Sequence, residues 1–575
     1  MATVATPLPA PSPARTRTIA DPQQRLAQTL LVVACAMLAV FLLAPLAAIL
    51  VKSVQDKAGA FVGLAHFRAY VQSPALIESA WNTLWVALAV TAITVPLAFT
   101  FAYALTRSCM PAKGVFRLIA LTPILAPSML AAISFIQWFG NQGALKSLLF
   151  GYSVYGPIGI IVSAVYAIFP HALMIIVTAL LLTDRRLFEA AESLRTSARR
   201  KFFTITLPAA RYGIVSAAMV VFSYTVSDFG IPKVIGGNFH VLAIDIYQQV
   251  IGQQNFNRGA VVGLILLAPV VFAFVVDLLM QRSQQAHFTA RAVAFMPRPS
   301  RGFDTAMLVF CAIVCALMLA VLGMAVFTSF IKLWPYDLSF SLRHYVFGLV
   351  DGGVIDSYFN SVKLGFYTAL FGTMLVFSTA YLIEKTRGMR ATRAAIRLLA
   401  AIPMAVPGMV LGLGYIFFFN DPRNPLHFLY GSMAILVLST IIHYYTSSHL
   451  TAATALKALD NEFEAVSASL KVPFYKTFVR VTAPVCLPAI LDIARYLFIN
   501  AMVTLSAVIF LYSPDTKLAS IAIVNLDEAG EIGAAAAMAT LIVATSTVVC
   551  LVYALLTRVL LRRTQAWRAP PTPNP

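Results

Sequence analysis

Few residues in this chain have the type and spacing that chemistry requires, and those few do not form a catalytic set. A phosphate-binding loop needs GxxxxGK followed by Ser or Thr, so that glycine amides cradle the phosphate and the lysine reaches it. The nearest stretch, Gly140-Asn-Gln-Gly-Ala-Leu-Lys146-Ser147, has Leu145 where the second glycine must stand. HExxH, GxSxG and clustered Asp/Glu sets are absent too, so the chain shows no means of hydrolysing a nucleotide or a substrate. Cys311 and Cys315 stand at i and i+4 among six cysteines in or beside apolar runs. Without Cx2C spacing or clustered histidines they read as packing residues. No catalytic residue and no metal site is expected.

Two other groups of residues carry the functional signal. The first is polar and lies inside apolar runs: Ser227 and Asp228 at the end of SYTVSD, with Asn500, Thr504 and Ser506 in the counterpart segment. Ionisable residues in such surroundings mark solute pathways more often than packing. Asp228 also stands near the end of its run, where a helix-end charge in water is an equal reading. His171 and His443 read as packed core histidines, and Asp492 with Arg495 as a local i,i+3 ion pair. The second group is a stretch that occurs twice. Asp184 to Pro208 reads DRRLFEAAESLRTSARRKFFTITLP, and Asp460 to Pro484 reads DNEFEAVSASLKVPFYKTFVRVTAP. An offset of 276 carries Leu187 to Phe463, Ala190 to Val466, Leu194 to Leu470, Ala198 to Phe474 and Phe202 to Phe478. Steps of three and four make one apolar stripe on a helix, and the charges between them exclude a membrane span. The expectation is a single amphipathic helix over each copy, in water.

The elements that must position these residues are apolar. The chain has 575 residues, 60% hydrophobic and only 11% charged, against about 25% charged in soluble proteins; its mean hydropathy is +0.82. Runs of about 20 apolar residues signal membrane-spanning helices. Twelve are expected: 30–51, 83–105, 116–138, 157–182, 212–231, 259–280, 304–330, 361–383, 396–419, 429–450, 486–511 and 536–560. The first is too long for the core of a cleaved signal peptide. Pro123 and Pro127 in the third, and Pro403 and Pro407 in the ninth, either kink these helices or loosen them along a pathway. The fold class is therefore an all-α polytopic membrane protein with about 12 transmembrane helices in two tandem six-helix units. Asn82 matches Asn360 and Ala102-Tyr103 matches Ala380-Tyr381 at an offset of 278, and the two proline pairs match at 280. The units are expected at 30–280 and 304–562, joined by a polar linker at 281–303. A Pro/Ala-rich disordered segment at 1–29 precedes them and an unstructured tail at 563–575 follows.

The net charge of +19 is a topology signal, with a nucleic-acid groove a poor second. With the N-terminus inside, Lys and Arg favour one side of the twelve spans by three to one. This bias assigns both repeated stretches and both termini to the cytoplasm.

EAAESL, followed by a basic and aromatic run and ITLP, resembles the EAA motif of permease subunits of bacterial ABC importers, with their MetI-like fold. The resemblance covers roughly residues 25–565. It implies a fused permease with two coupling helices, which dock into clefts on two copies of an ATP-binding subunit. In that case Leu187, Glu189, Ala190, Ala191, Leu194, Arg195 and Phe202 would meet one copy. Phe463, Glu464, Val466, Leu470, Lys471 and Phe478 would meet the other. It further implies a bacterial inner membrane location, a periplasmic solute-binding protein as partner, and ATP consumed by the partner with no cofactor on this chain. SDFGIPKVIGGNF and NEFEAVSASLKVPF are similar to the 2-aminoethylphosphonate branch, which ranks that solute first and ferric iron second. The family usually has glycine where Arg195 and Lys471 stand, and Ala465 occupies the motif's Glu position in the second copy, with Glu464 one residue earlier. The alternative role for the stripes is a helix lying on lipid headgroups. The rival class is an ion-coupled secondary transporter, which needs charges deep in several spans; a membrane enzyme would need a catalytic cluster.

Overall fold

Proline opens several of the long helices, because its missing N–H is one of those a helix start leaves unpaired anyway. Pro74 begins Pro74–Arg107 and Pro157 begins Pro157–Leu181. The computed structural model describes residues 22–286, 295–346, 354–386, 388–460 and 462–564. Among them, eight helices are long and apolar enough to cross a membrane: Gln23–Ser53, Pro74–Arg107, Pro157–Leu181, Ala198–Ser227, Phe256–Gln281, Arg301–Ser329, Val354–Lys385 and Ile532–Leu560. Counting each of three bent helix pairs as one span brings the total to 11. The run expected at 429–450 is a shorter apolar helix, Met433–His443, interrupted at Tyr444 before Tyr445–Lys457. One small hairpin, Ile331–Leu333 with Asp337–Phe340, interrupts the helical pattern.

Several expected boundaries need correction. Helix begins at Pro22, inside the segment expected to be disordered, while 1–21 and 565–575 lie outside the described residues. The linker shortens, because helix continues to Ala286 and resumes at Arg301; residues 287–294 lie outside the described residues. The third and ninth runs are not straight spans. Lys113–Leu125 meets Ser128–Phe139 at 101°, and Arg390–Ala405 meets Gly408–Phe419 at 113°. Ala126 and Val406, the residues before Pro127 and Pro407, are extended at these breaks, since proline forces the residue before it away from helix. The eleventh run bends by 79° near Cys486 and its helix stops at Val503, eight residues short of the expected end. The fifth helix starts as early as Ala198 and stops at Ser227, leaving Asp228 outside it.

The duplication is visible in hydrogen bonds. Asn82 Nδ2 donates to His240 O (3.1 Å), and Asn360 Nδ2 donates to Asp515 O (2.9 Å) and Lys517 O (3.1 Å). The next residue in each half caps the helix that follows: Thr83 Oγ1 accepts from Leu242 N (2.9 Å) and Ser361 Oγ from Ala519 N (2.8 Å). The second span of each half thus ties down the loop after its fifth. The first span of each half crosses to the other half. Gln23–Ser53 packs on Gly408–Phe419, and Arg301–Ser329 packs on Ser128–Phe139. Tyr415 donates to Phe41 O (2.8 Å) and Trp138 Nε1 to Ala320 O (3.3 Å). A Cβ added at Gly414 would lie 2.7 Å from Pro45 O, so glycine lets the backbones approach, as small residues do between membrane helices. Cys311 and Cys315 are unpaired and buried, and Arg301–Ser329, which carries them, packs against Lys113–Ala120.

Candidate functional site

Each repeated stretch is a helix, a turn and a second helix, which replaces the single helix expected from the stripe. In the first copy Asp184 Oδ1 accepts from Arg186 N (3.0 Å) and opens Arg185–Ser193. Arg195 N donates to Glu192 O (2.9 Å) and Thr196 N to Ala191 O (2.9 Å), with Arg195 at φ +50°. This 5→2 and 6→1 pair is the Schellman ending, which needs one left-handed residue. Ser197 Oγ then accepts from Arg200 N (3.4 Å), and helix resumes at Ala198. The second copy repeats the plan. Asp460 Oδ1 accepts from Glu462 N (3.1 Å), Lys471 N donates to Ala468 O (3.1 Å) and Val472 N to Ser467 O (2.9 Å), with Lys471 at φ +55°. Arg195 and Lys471 therefore occupy the left-handed position that glycine would fill without strain.

The turn splits the stripe. Leu187, Ala190 and Leu194 are exposed, Leu194 by 80%, as are Phe463, Val466 and Leu470, the last by 70%. Ala191 is buried, and its neighbour Phe188 packs on Phe295. Phe202 sits between Phe99 and Tyr103, and Phe478 between Phe377 and Tyr381. Ala191, before the turn, thus faces the molecule, not a surface, as do Phe202 and Phe478, because after the turn the chain doubles back toward the spans. Glu189 is exposed and paired with Arg185 at 2.7 Å. Glu464 turns inward to Lys385 at 3.4 Å, which corrects the expectation that it faces outward.

A half-open cavity of about 270 Å³ lies where the two halves meet. Ser227, Asp228, Asn500, Thr504 and Ser506 all line it, so the polar residues singled out in sequence are brought together. Both of the helices that supply them stop at equivalent points, Ser227 and Val503. Asp228 accepts from Ser128 Oγ (3.2 Å) and from Ile231 N (3.2 Å), capping Gly230–Ile235 while facing the cavity. The sequence reading missed the aromatic wall. His171 meets Tyr224 edge-on at 4.9 Å, and His443 meets Tyr444 at 4.6 Å. Tyr496 adds a further ring, 6.0 Å from Tyr444. Both histidines, expected as core residues, line this space. The one acidic side chain lining it is Asp228, and no Lys or Arg does so among the described residues. The breaks at Pro127 and Pro407 bring Ser128 and Gly408 to the cavity; a Cβ at Gly408 would come 2.2 Å from Ser506 Oγ. Asp277, a further acid within a span, is bonded to Ser216 and Gln281 and lies outside this lining. Asp492 and Arg495 pair locally at 3.0 Å.

Two segments of the chain, 98–287 and 372–565, match the model of the binding-protein-dependent transport system inner membrane component. Each holds one helix-turn-helix loop and one wall of the cavity. The chain belongs to this family. It is an inner-membrane permease of the ABC importer class, all-α and built of two tandem units. The ferric transport system permease protein FbpB of Actinobacillus pleuropneumoniae is 27% identical over 481 residues, covering 80% of this chain and 68% of that protein. The Fe(3+)-transport system permease protein FbpB 2 of Haemophilus influenzae is 22% identical over 478 residues, covering 80% and 86%. The molybdenum transport system permease protein ModB of Azotobacter vinelandii is 26% identical over 176 residues, covering 29% of this permease and 78% of its own length.

Proposed function

We propose that this permease carries ferric iron, delivered by a periplasmic binding protein, through the central cavity into the cytoplasm. The observation that carries the choice is the lining: one carboxylate, three tyrosines and two histidines, with no Lys or Arg among the described residues. Ferric iron is a hard cation that favours carboxylate and phenol oxygens. The relatives named for ferric transport support the same reading. 2-Aminoethylphosphonate, ranked first on sequence resemblance, is held most strongly through charge-assisted bonds to its phosphonate, and no Lys or Arg lines the cavity among the described residues, so it becomes the second reading. The two helix-turn-helix loops face the cytoplasm in this proposal, as do both termini. Each offers its exposed apolar residues to one copy of an ATP-binding subunit, in the manner of a helix seated in a groove. ATP is bound and hydrolysed there, and no cofactor is needed on this chain.

The test is uptake into proteoliposomes containing the permease, its ATP-binding subunit and the binding protein, for the wild type and Asp228→Asn. Asparagine keeps an acceptor for Ile231 N and removes the charge. Iron uptake that needs ATP and falls about tenfold or more in Asp228→Asn, the scale of one lost charged contact, would support the proposal. Uptake of aminoethylphosphonate alone would overturn the solute, and iron uptake that follows a proton gradient without ATP would overturn the class.

A further inference from the structure

Each half carries a cation at the foot of its second span, at the offset of 278 that also relates Asn82 to Asn360. In the first half Arg107 is buried, and its Nη2 donates to Leu180 O at the end of the fourth span (2.9 Å). The guanidinium lies 4.9 Å over the Phe188 ring, on the helix before the turn, and 4.3 Å over Phe295. In the second half Lys385, its side chain 3% exposed, donates to Leu459 O (3.0 Å) and pairs with Glu464 at 3.4 Å. Phe188 and Glu464 are equivalent at the offset of 276. One turn earlier, Tyr103 and Tyr381 pack on Phe202 and Phe478, beyond the turn, at 5.7 and 4.8 Å. The second span therefore grips both arms of its loop and the end of the fourth span at once. The geometry is duplicated while the chemistry differs, cation over aromatic faces in one half and a buried ion pair in the other.

We infer that Arg107 and Lys385 are positioning residues that transmit movement of the two loops into the second and fourth spans. This inference rests on the proposal that the loops receive the ATP-binding subunits. A rigid grip is what such transmission needs, because coupling passes through elements that move as units. The exposed residues of the loops would bind the partner equally well without it, so docking and transmission are separable. The two grips also differ in support. Phe295, from the stretch joining the halves, packs on Phe188 at 4.5 Å, and Arg298 pairs with Glu192 at 2.8 Å. At the second grip an opening of about 570 Å³ lies beside Lys385 and Glu464.

The test places spin labels on the outer face, one on each half, at the exposed positions Asn238→Cys and Glu531→Cys, with exposed Cys109 replaced by Ser. Their separation is measured in the complex with the ATP-binding subunit, with and without a non-hydrolysable ATP analogue. The expected result is a nucleotide-dependent change in the otherwise unmodified complex, cut by half or more in Arg107→Met and Lys385→Met while the ATP-binding subunit still copurifies. Arg107→Lys and Lys385→Arg, which keep the cation, should preserve the change. If Arg107→Met does not reach the membrane, Phe188→Leu removes one ring face and carries the same expectation. A full response in the Met variants would overturn the inference. So would loss of the ATP-binding subunit from them alone, which reduces the grip to a docking scaffold. A permease with both grips intact that never binds the ATP-binding subunit would instead fault the underlying reading of the loops.

Discussion

Replacing Arg195 or Lys471 by glycine should stiffen the loops, although it removes a side chain from each. Both residues hold left-handed backbone, at φ +50° and +55°, which costs a residue with a Cβ about 1–2 kcal/mol. Glycine relieves that strain but has more freedom to lose on folding, worth about 0.5–1 kcal/mol. The difference leaves a gain of about 0.5–1 kcal/mol per turn. Local opening governs exchange of the amides that close the turn, so their protection should rise about two- to fivefold. The amides to follow are Arg195 and Thr196 in the first loop and Val472 in the second, bonded to Glu192, Ala191 and Ser467. The converse site is Gly530, at φ +80°, which closes the same motif through Gly530 N to Asp527 O (3.0 Å) and Glu531 N to Leu526 O (2.9 Å). A Cβ there meets nothing within 4 Å, so Gly530→Ala isolates the conformational cost and should speed exchange of these amides. Hydrogen exchange read by mass spectrometry on detergent-solubilised permease provides the assay. Faster exchange after Arg195→Gly, or no effect of Gly530→Ala, would refute the claim that left-handed strain sets the stability of these turns.

Two further outcomes follow from the same geometry. Leu194→Asp and Leu470→Asp alter side chains that are already largely exposed, so folding stability should move by no more than about 0.5 kcal/mol, while copurification of the ATP-binding subunit should fall steeply. Equal yields of membrane-inserted protein with undiminished copurification would remove these residues from the docking surface. Asn360→Ala and Asn82→Ala should both lower thermal stability, since each loses two hydrogen bonds: Asp515 O and Lys517 O lose their donor in one, and His240 O and Trp85 Nε1 lose their partner in the other. Each buried polar group left unpaired costs about 1–3 kcal/mol, and thermal unfolding in detergent reads the loss; an unchanged midpoint in either variant would remove that asparagine from the ties between span and loop.

Much of this was legible in the sequence, and the limits are specific. Apolar runs located the spans, and the repeated stretch located the loops, because both depend on local patterning. The bends of 101° and 113° were not legible. Proline announces an interruption, but its angle is set by tertiary packing, as where Gly408 meets Ser506 within the second half. The turn at Arg195 was hidden for another reason: only glycine advertises left-handed backbone, and here the tertiary fold overrides the preference of Arg and Lys. Tyr444 and Tyr496 passed unnoticed because an aromatic residue in an apolar run looks the same whether it packs or lines a cavity. In the sequence Arg107 and Lys385 are simply two of the many Lys and Arg whose bias orients the chain. Their shared offset with Asn82 and Asn360 was the available signal.

The two halves have diverged unevenly, and the pattern separates what the fold must keep from what the solute selects. Around the loops, each device survives in both copies: the Schellman turn, the cation on the fourth span's last carbonyls, the Tyr–Phe contact beyond the turn. Side chains there change while their geometry persists, as two equivalent partners acting on one transporter would demand. In the cavity the reverse holds. At the offset of 276, Asp228 corresponds to Thr504 and Tyr224 to Asn500; at 280, Ser128 corresponds to Gly408, and all six line the cavity. Among the described residues the lining is one-sided, with its single carboxylate contributed by the first half. A second carboxylate across the cavity would hold a trivalent cation far more tightly, since two charges attract it in a medium of low dielectric. A transport pathway must also let its solute go, as conduction requires sites favourable enough to enter and weak enough to leave. For a cation, one acid and a ring of neutral oxygen and nitrogen donors meets both needs. A symmetric pair of acids would sacrifice release for affinity, so asymmetry of the cavity is the expected form of a permease that passes such a solute.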